Sequence, residues 1–265
     1  MKKFLKTFAI AIACFGAMNQ FTPAEAIDIE SGGYVQVECD VDQEPGESPN
    51  AMRRIAILEG YRYLAEQIGD LRISSNSTVS EYRLTNDEIN VSVEKVVHGA
   101  QIVSVDKNSM GQYHVIVRLP VFGGETSLAA TVLPKKSKEV KFPKPKYSNI
   151  ESGNFDAKSY TGLIIDCRGM ILQTAIAPSI ESVDGSKIYS FDNVSRDTAV
   201  KRGIAAYSNS MDSGVQRAGS KPLVVKAVDT SGECDILISQ EDADKILIAN
   251  QQSNFLKNCM VVIVR

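Results

Sequence analysis

The hydrophobic pattern near the start of the folded chain predicts a strand followed by an amphipathic helix. Residues 34–39 alternate between apolar and polar side chains, which is typical of a strand with one buried face. Ser48 can cap a helix and Pro49 suits its first turn, while Gly69 is expected just past its end. Between these signals, apolar side chains recur at the spacing of a single helix face, at Ile57, Tyr61, Leu64 and Ile68.

The next segments predict a small sheet with a second helix. Residues 71–84 alternate and are rich in Ser and Thr, which favours a strand. Residues 85–88 form a capping-box sequence, so we expect a helix over 86–98, although its valines also permit a strand. Two alternating segments then predict a hairpin, at 101–105 and 113–119. We therefore expect residues 27–133 to form an α+β domain, a small antiparallel sheet packed by two helices.

The last hundred residues carry the pattern of an α/β domain with a mixed sheet, over 160–265. Residues 160–167 are a continuous apolar run between turn residues, which is typical of a strand covered on both faces. Residues 176–189 predict a hairpin that turns at Asp184 and Gly185. Further apolar runs predict three strands and two helices, with a right-handed parallel βαβ unit over 235–264: strands at 223–228, 235–239 and 260–264, and helices at 198–210 and 241–257.

A basic, proline-rich segment separates the two predicted domains. Residues 134–146 contain three prolines and six lysines, a composition that cannot bury a core. We expect an extended, semi-rigid linker over 134–159. A second interpretation is that its lysines contact an anionic surface such as lipid headgroups or a cell-wall polymer: Lys135, Lys136, Lys138, Lys141, Lys144 and Lys146.

Residues 1–26 carry the pattern of a signal peptide, so we expect the protein to be exported. Three lysines precede an apolar run of about eleven residues over 8–18, and Ala24-Glu25-Ala26 supplies small residues at the cleavage positions. A spanning helix needs roughly 20 apolar residues, so the run is too short for one. The alternative is a lipoprotein processing site at Cys14, whose acylation would tether the protein to a membrane.

Composition narrows the possible chemistry. Without the leader the chain has 26 Lys and Arg against 31 Asp and Glu, which argues against a nucleic-acid partner. The sequence shows no nucleotide-binding or G-x-S-x-G motif and no zinc-ligand spacing, and we predict no cofactor, no metal and no catalytic residue. Four cysteines follow the leader, and the compartment permits disulfides. A bond between Cys234 and Cys259 is one prediction; four buried, reduced thiols are the alternative.

One polar pair stands out as a candidate site. Asp166 and Arg168 flank Cys167 at the end of a predicted buried strand, where open α/β sheets place ligands. The pair predicts a small polar ligand site. A nucleophilic Cys167 beside arginine is a second hypothesis, although no histidine lies near it in sequence to act as a base.

Four segments of the first domain resemble a known family when read in order. They are a helix over 53–68, a Ser/Thr-rich segment over 71–80, a G-x-x-I-V strand over 97–103 and a Y-x-V-x-V-x-L-P strand over 113–120. This order is similar to that of the LPP-type family of small bacterial envelope lipoproteins, to which the flagellar basal-disc lipoprotein and the N-terminal domain of flagellar assembly protein T are similar. The family has no catalytic residues to carry across.

The resemblance implies a structural role in the periplasm or at the outer membrane. We therefore expect a non-catalytic envelope or flagellum-associated protein that contacts copies of itself or envelope or flagellar proteins. The alternative is a periplasmic ligand-binding or enzymatic α/β domain with its site at Asp166 and Arg168.

Overall fold

The computed structural model of the chain describes residues 33–147 and 155–265, apart from the side chains of residues 213–215. The predicted signal peptide and Cys14 lie outside these residues, as do positions 148–154 of the predicted linker. No helix in the described part of the chain is long and apolar enough to cross a membrane.

The first region, residues 33–133, is an antiparallel sheet covered by helices. Its elements in chain order are β1 (Tyr34–Val41), α1 (Pro49–Gly69), β2 (Arg72–Ser74), β3 (Ser77–Thr78), α2 (Val79–Thr85), α3 (Asp87–His98), β4 (Gln101–Lys107), β5 (Tyr113–Pro120) and α4 (Leu128–Val132). The three long strands form one sheet in the order β1-β5-β4, with antiparallel pairing throughout. The predicted hairpin is confirmed as β4 and β5.

Helix α1 packs against the sheet with a face that contains both large and small residues. Ser48 caps it as predicted, because its hydroxyl accepts a hydrogen bond from the Ala51 amide at 3.2 Å. Leu64 and Ile68 are fully buried as expected. The predicted Ile57 and Tyr61 are only half-buried, and Met52, Ala56 and Gly60 complete the buried face instead. The helix lies close to the sheet at Gly60, where an added Cβ would lie 2.7 Å from Val117 Cγ2.

The strand predicted over 71–84 is wrong. The segment forms the short β2-β3 hairpin and then helix α2, which a capping box begins at Thr78. The Thr78 hydroxyl accepts from the Glu81 amide at 3.2 Å, and the Glu81 carboxylate accepts from the Thr78 amide at 2.8 Å. The predicted helix over 86–98 is confirmed as α3, with Asn86 as its cap.

The second region, residues 155–265, contains two four-stranded sheets. Its elements in chain order are β6 (Gly162–Asp166), β7 (Ile180–Ser182), β8 (Lys187–Tyr189), a 3₁₀ turn (Phe191–Asn193), α5 (Arg196–Arg202), β9 (Ala206–Ser208), α6 (Met211–Ala218), β10 (Pro222–Lys226), β11 (Asp229–Ser231), β12 (Asp235–Ile238), α7 (Gln240–Ser253) and β13 (Val261–Val264).

One of these sheets is parallel and the other is mixed. The parallel sheet has the order β10-β6-β13-β9. The mixed sheet has the order β11-β12-β7-β8, in which β12 runs parallel to β7 and the outer pairs are antiparallel. The predicted fold class, α+β followed by α/β with a mixed sheet, is therefore confirmed.

Two local predictions in this region are wrong. The βαβ unit expected over 235–264 does not form within one sheet, because β12 belongs to the mixed sheet and β13 to the parallel sheet. The helix expected over 198–210 stops at Arg202. Gly203 follows with φ +71, a backbone conformation that favours glycine and ends a helix, and β9 begins three residues later. The hairpin predicted over 176–189 is confirmed as β7 and β8.

The buried core continues through both regions. At one junction the Gly123 amide donates to the Val200 carbonyl at 3.0 Å, and Phe122 contacts Gly203 closely enough to exclude a Cβ there. At a second junction, strand β2 contacts the second region, where the Ile176 amide donates to the Arg72 carbonyl at 2.9 Å. The two regions therefore share packing on two sides.

The described part of the predicted linker, residues 134–147, lies along the second region without regular secondary structure. The Val140 amide donates to the Asp192 carbonyl at 2.8 Å, and the Phe142 ring stacks on Tyr189 with centroids 6.5 Å apart. The buried carboxylate of Asp244 accepts from the Lys146 amide at 2.7 Å. These bonds fix residues 134–147 to the surface of the second region.

Candidate functional site

The predicted polar pair, Asp166 and Arg168, lies at the carboxyl end of the central strand β6. Two hydrogen bonds join the side chains. Arg168 Nε donates to Asp166 Oδ1 at 2.8 Å, and Arg168 Nη2 donates to Asp166 Oδ2 at 2.8 Å. The Arg168 backbone amide also donates to Asp166 Oδ1 at 3.1 Å. The side chain of Asp166 is 19% exposed and that of Arg168 is 55% exposed. The structure therefore brings the two predicted residues together as a bidentate ion pair.

Positive charge around Asp166 keeps this carboxylate ionised. The hydrogen bonds and charge of Arg168 lower the pKa of Asp166 to about 2, and Lys226, opposite it on the neighbouring strand β10, acts in the same direction. A carboxylate with so low a pKa is a poor general base, because it does not hold a proton near neutral pH. The pair is chemically a fixed, partly exposed salt bridge.

We expect Asp166→Asn to reduce stability only where the carboxylate is ionised. The folded pKa lies below the unfolded value of about 3.9, so the pair stabilises the native state above that value. The contribution is lost as the pH falls from about 4 to about 2. For a partly exposed pair we expect about 0.5–1 kcal/mol at pH 7. Urea unfolding of the wild type and Asp166→Asn at pH 7 and pH 2 measures this; an equal difference at both pH values would contradict it.

Cys167 is not placed as an activated nucleophile. It lies between Asp166 and Arg168 in sequence, and its side chain is fully buried. Burial, and next the Asp166 charge, raises the pKa of this thiol to about 12, so the thiolate is disfavoured despite the neighbouring arginine. The structure gives no support to the nucleophile hypothesis at this position.

The predicted bond between Cys234 and Cys259 is absent. All four described cysteines, Cys39, Cys167, Cys234 and Cys259, are buried free thiols. Cys234 Sγ lies 3.2 Å from Ser75 Oγ of the first region, which gives it a polar partner other than a cysteine. The alternative of buried, reduced thiols is what the structure contains.

One large groove of the described chain was not predicted from the sequence. It has a volume of about 720 Å³ and lies where α3, α4 and the start of α5 meet. Ile89, Val96, Ala130 and Leu133 contribute apolar lining. We call it the junction groove, since it takes residues from both regions and from the start of the predicted linker, including Arg196 and Lys135.

Arg196 joins the start of α5 to the end of α4 at the junction groove. Its guanidinium donates to the Leu133 carbonyl at 3.2 Å and also to the Ala130 carbonyl, beside the last residues of α4. It also faces Glu125 at 3.9 Å. The three charged residues Glu88, Lys95 and Lys135 line the groove without an ion pair among the described residues.

The lysines proposed for an anionic surface divide into two groups. Lys136 donates to the Phe191 carbonyl and lies 3.9 Å from the centre of the Phe191 ring, and Lys146 pairs with Asp184. These two side chains have partners within the protein. The remaining four are exposed: Lys135, Lys138, Lys141 and Lys144. Contact with an anionic surface stays a prediction for those four.

No local signal marks the junction groove in the sequence. Its residues come from positions 82–99, from 125–135 and from Arg196, and each segment alone has the pattern of an ordinary amphipathic helix or loop. Arg196 joins the groove from the second region by binding the end of α4, a contact over sixty-six residues. Among the described residues, no group of His, Cys, Asp and Glu side chains could hold a metal ion.

The second region is similar to one domain family. Residues 162–265 match the family model for the second domain of Treponema pallidum Tp0624. The match covers less than half of the chain and begins at the first residue of β6. It relates the second region to that domain, and its description states no activity. No curated protein matches the chain.

Proposed function

We propose that this protein is a non-catalytic component of the bacterial cell envelope, exported to the periplasm or outer membrane, that binds another envelope protein through the junction groove. The observation that carries the proposal is the groove itself, about 720 Å³ with apolar lining and unpaired charges. The signal-peptide pattern of residues 1–26 and the resemblance of the first domain to envelope lipoproteins support the envelope location.

We propose that the junction groove accepts a helix, because helix α3 forms one of its sides. Helix α3 has twelve residues and is therefore about 18 Å long. A groove between two helices typically accepts the apolar face of an amphipathic helix. A partner helix of about three turns would cover Ile89, Val96 and Leu133 and remove them from water.

The charges of the junction groove define the expected partner more closely. Lys95 and Lys135 provide two unpaired cations, against one unpaired acid, Glu88. A helix with acidic residues beside its apolar face would complement this balance and be guided into place by it. We therefore propose an acidic amphipathic helix of an envelope protein as the occupant.

The proposal is tested by photo-crosslinking in the native envelope. A photoreactive residue at Ser92, which lines the junction groove, should crosslink to one partner protein. The matched position is Val91 on the same helix, which is 64% exposed and does not line the groove. The Ser92 product should disappear with Lys95→Glu combined with Lys135→Glu, and persist with the control Lys187→Glu.

A charge-reversal rescue experiment identifies the surface of the partner that binds the junction groove. Mass spectrometry should place the crosslink on an amphipathic helix, and replacing the acidic residues of that helix by lysine should restore binding to the charge-reversed protein. Equal crosslinking from Ser92 and Val91 would contradict the proposal. A product that contains only a second copy of this chain would also overturn it, in favour of self-association.

The proposed export predicts the N-terminus and the thiol state of the mature protein. We expect mass spectrometry of protein purified from the envelope to find an N-terminus at Ile27 and four free thiols. Iodoacetamide should modify all four thiols only after denaturation, because each is buried. A lipid-modified N-terminal Cys14 would replace release after Ala26 by membrane anchoring, and an intact residue 1–26 would contradict export.

The alternative of a ligand-binding or enzymatic site at Asp166 and Arg168 gains no specific support. Each group uses its principal polar atoms on the other, as described above. A ligand would meet only the N–H groups of the guanidinium that the pair leaves unused.

A further inference from the structure

A second groove lies at the opposite end of the parallel sheet from Asp166. It has a volume of about 530 Å³ and opens beside the residues that precede β6 and β13, namely Thr161 and Met260. Helix α5 contributes Lys201 and Arg202 to it, and the turn after α7 contributes Asn258. We call it the basic groove.

The basic groove has cations and no acid in its lining. Lys201 and Arg202 are both exposed, and neither forms an ion pair with a described residue. The other lining residues are neutral. The local field is therefore positive, which raises the concentration of anions at the surface.

A third cation lies just behind this lining. The guanidinium of Arg217, on α6, donates to the carbonyls of Arg202 at 2.6 Å, Gly203 at 2.7 Å and Cys259 at 3.0 Å. Its partners are neutral carbonyl groups, and no described carboxylate pairs with it. Burial, together with the charge of Arg202, lowers the pKa of Arg217 to about 10. Arg202 and Arg217 therefore repel each other across the groove wall.

We propose that the basic groove binds a phosphate group. Arg202 supplies a planar guanidinium that can hold two oxygens, Lys201 supplies a mobile ammonium on the same helical turn, and Asn258 supplies an amide from the facing turn. Donors from two sides suit a phosphate, which offers more acceptor oxygens than a carboxylate. The added negative charge would also relieve the repulsion between Arg202 and Arg217.

The space beyond one phosphate indicates that the phosphate belongs to a larger molecule. Met260, which is half-buried, gives the groove an apolar surface on which an organic part could rest. The phosphate could be carried by a small soluble compound or by a lipid headgroup, and the two sources share this recognition chemistry. A comparison of free phosphate with anionic vesicles distinguishes the two sources.

Lys201 and Arg202 also lie in the last turn of α5, where cations favour the helix dipole. With that role alone, replacing either residue would change the stability of the protein equally with and without phosphate. A measurement of phosphate binding therefore distinguishes this stabilising role from a role in binding phosphate.

The test uses the full exported chain at low ionic strength and two probes. One is inorganic phosphate, followed by calorimetric titration; the other is vesicles of phosphatidylglycerol, compared with phosphatidylcholine vesicles in a sedimentation assay. We expect saturable binding to at least one phosphate probe. Arg202→Gln and Lys201→Gln should each weaken it about tenfold, because each removes a charge-assisted hydrogen bond. The matched control Lys187→Gln, an exposed lysine of β8, should stay within about twofold of the wild type.

Binding of free phosphate with no preference for anionic vesicles would identify a soluble ligand. Binding to phosphatidylglycerol vesicles that is lost in the same two variants would identify a lipid headgroup. Thermal melts of the variants confirm that they are folded. The proposal is overturned if neither probe binds saturably, or if Lys187→Gln weakens binding as much as the groove variants do. Neither result would bear on the junction groove, whose residues are different.

Discussion

Replacing Gly162 by alanine should destabilise the protein by about 3 kcal/mol or prevent it from folding. Gly162 is the first residue of β6, and the last residue of α6 lies directly against it. An added Cβ would lie 2.7 Å from both Cα and the carbonyl carbon of Ala218, and closer still to its oxygen. These are backbone atoms, so no side-chain rotation can relieve the clash.

Neighbouring bonds prevent α6 from moving away from β6. The Thr161 hydroxyl donates to the Ala218 carbonyl at 2.9 Å and accepts from the Lys221 amide at 3.0 Å. Ala218 also packs in the small core beneath α6, with Ile164 and Val262 of the parallel sheet. A shift of α6 would therefore break a hydrogen bond and open this core.

Chemical denaturation of Gly162→Ala measures the effect. The matched control is Gly99→Ala, because Gly99 has φ −90 and an added Cβ would meet its nearest atom at 3.3 Å. We expect the control to change the free energy of unfolding by less than about 1 kcal/mol. Equal stability of the wild type and Gly162→Ala would show that α6 does not pack against β6 as described.

The local elements with strong sequence signals could be predicted. Ser48 and Gly69 bracket α1, and a polar cap precedes α3, because capping and periodicity depend on neighbours within a few residues. Helix α2 was missed although Thr78 and Glu81 carry the capping-box spacing. The Ser and Thr residues of this segment also alternate as in a strand, and packing of α2 on α1 and α3 favours the helix.

The pairing of strands could not be read from local pattern. Residues 235–264 have the order strand, helix, strand, yet β12 and β13 join different sheets. The carboxyl-end position of Asp166 was predicted correctly, since it follows from the end of one apolar run. The junction groove and the basic groove depend on contacts between distant segments, so no single stretch of sequence indicates either of them.

The second large effect is expected from Arg217→Met. The guanidinium of Arg217 joins three parts of the second region, since it binds carbonyls at the end of α5 and in the turn before β13. That turn contains Cys259 at φ +54, an unfavourable backbone conformation for a residue other than glycine. The hydrogen bond from Arg217 Nε to the Cys259 carbonyl therefore helps to hold a strained turn in place.

Methionine keeps much of the apolar stem of Arg217 but removes all three of these hydrogen bonds. The Gly203 and Cys259 contacts are partly buried, and each carbonyl left there without its partner costs about 1 kcal/mol or more, whereas the Arg202 carbonyl is exposed to water, so we expect a loss of about 2 kcal/mol. The control Lys201→Met removes an exposed cation from the same corner and should change stability by no more than about 0.5 kcal/mol. Arg217→Lys should lie between them, because an ammonium keeps the charge but cannot span three carbonyls in one plane. Urea unfolding at pH 7 ranks the four proteins. If Arg217→Met proves as stable as Lys201→Met, the guanidinium does not hold α5, α6 and the turn before β13 together.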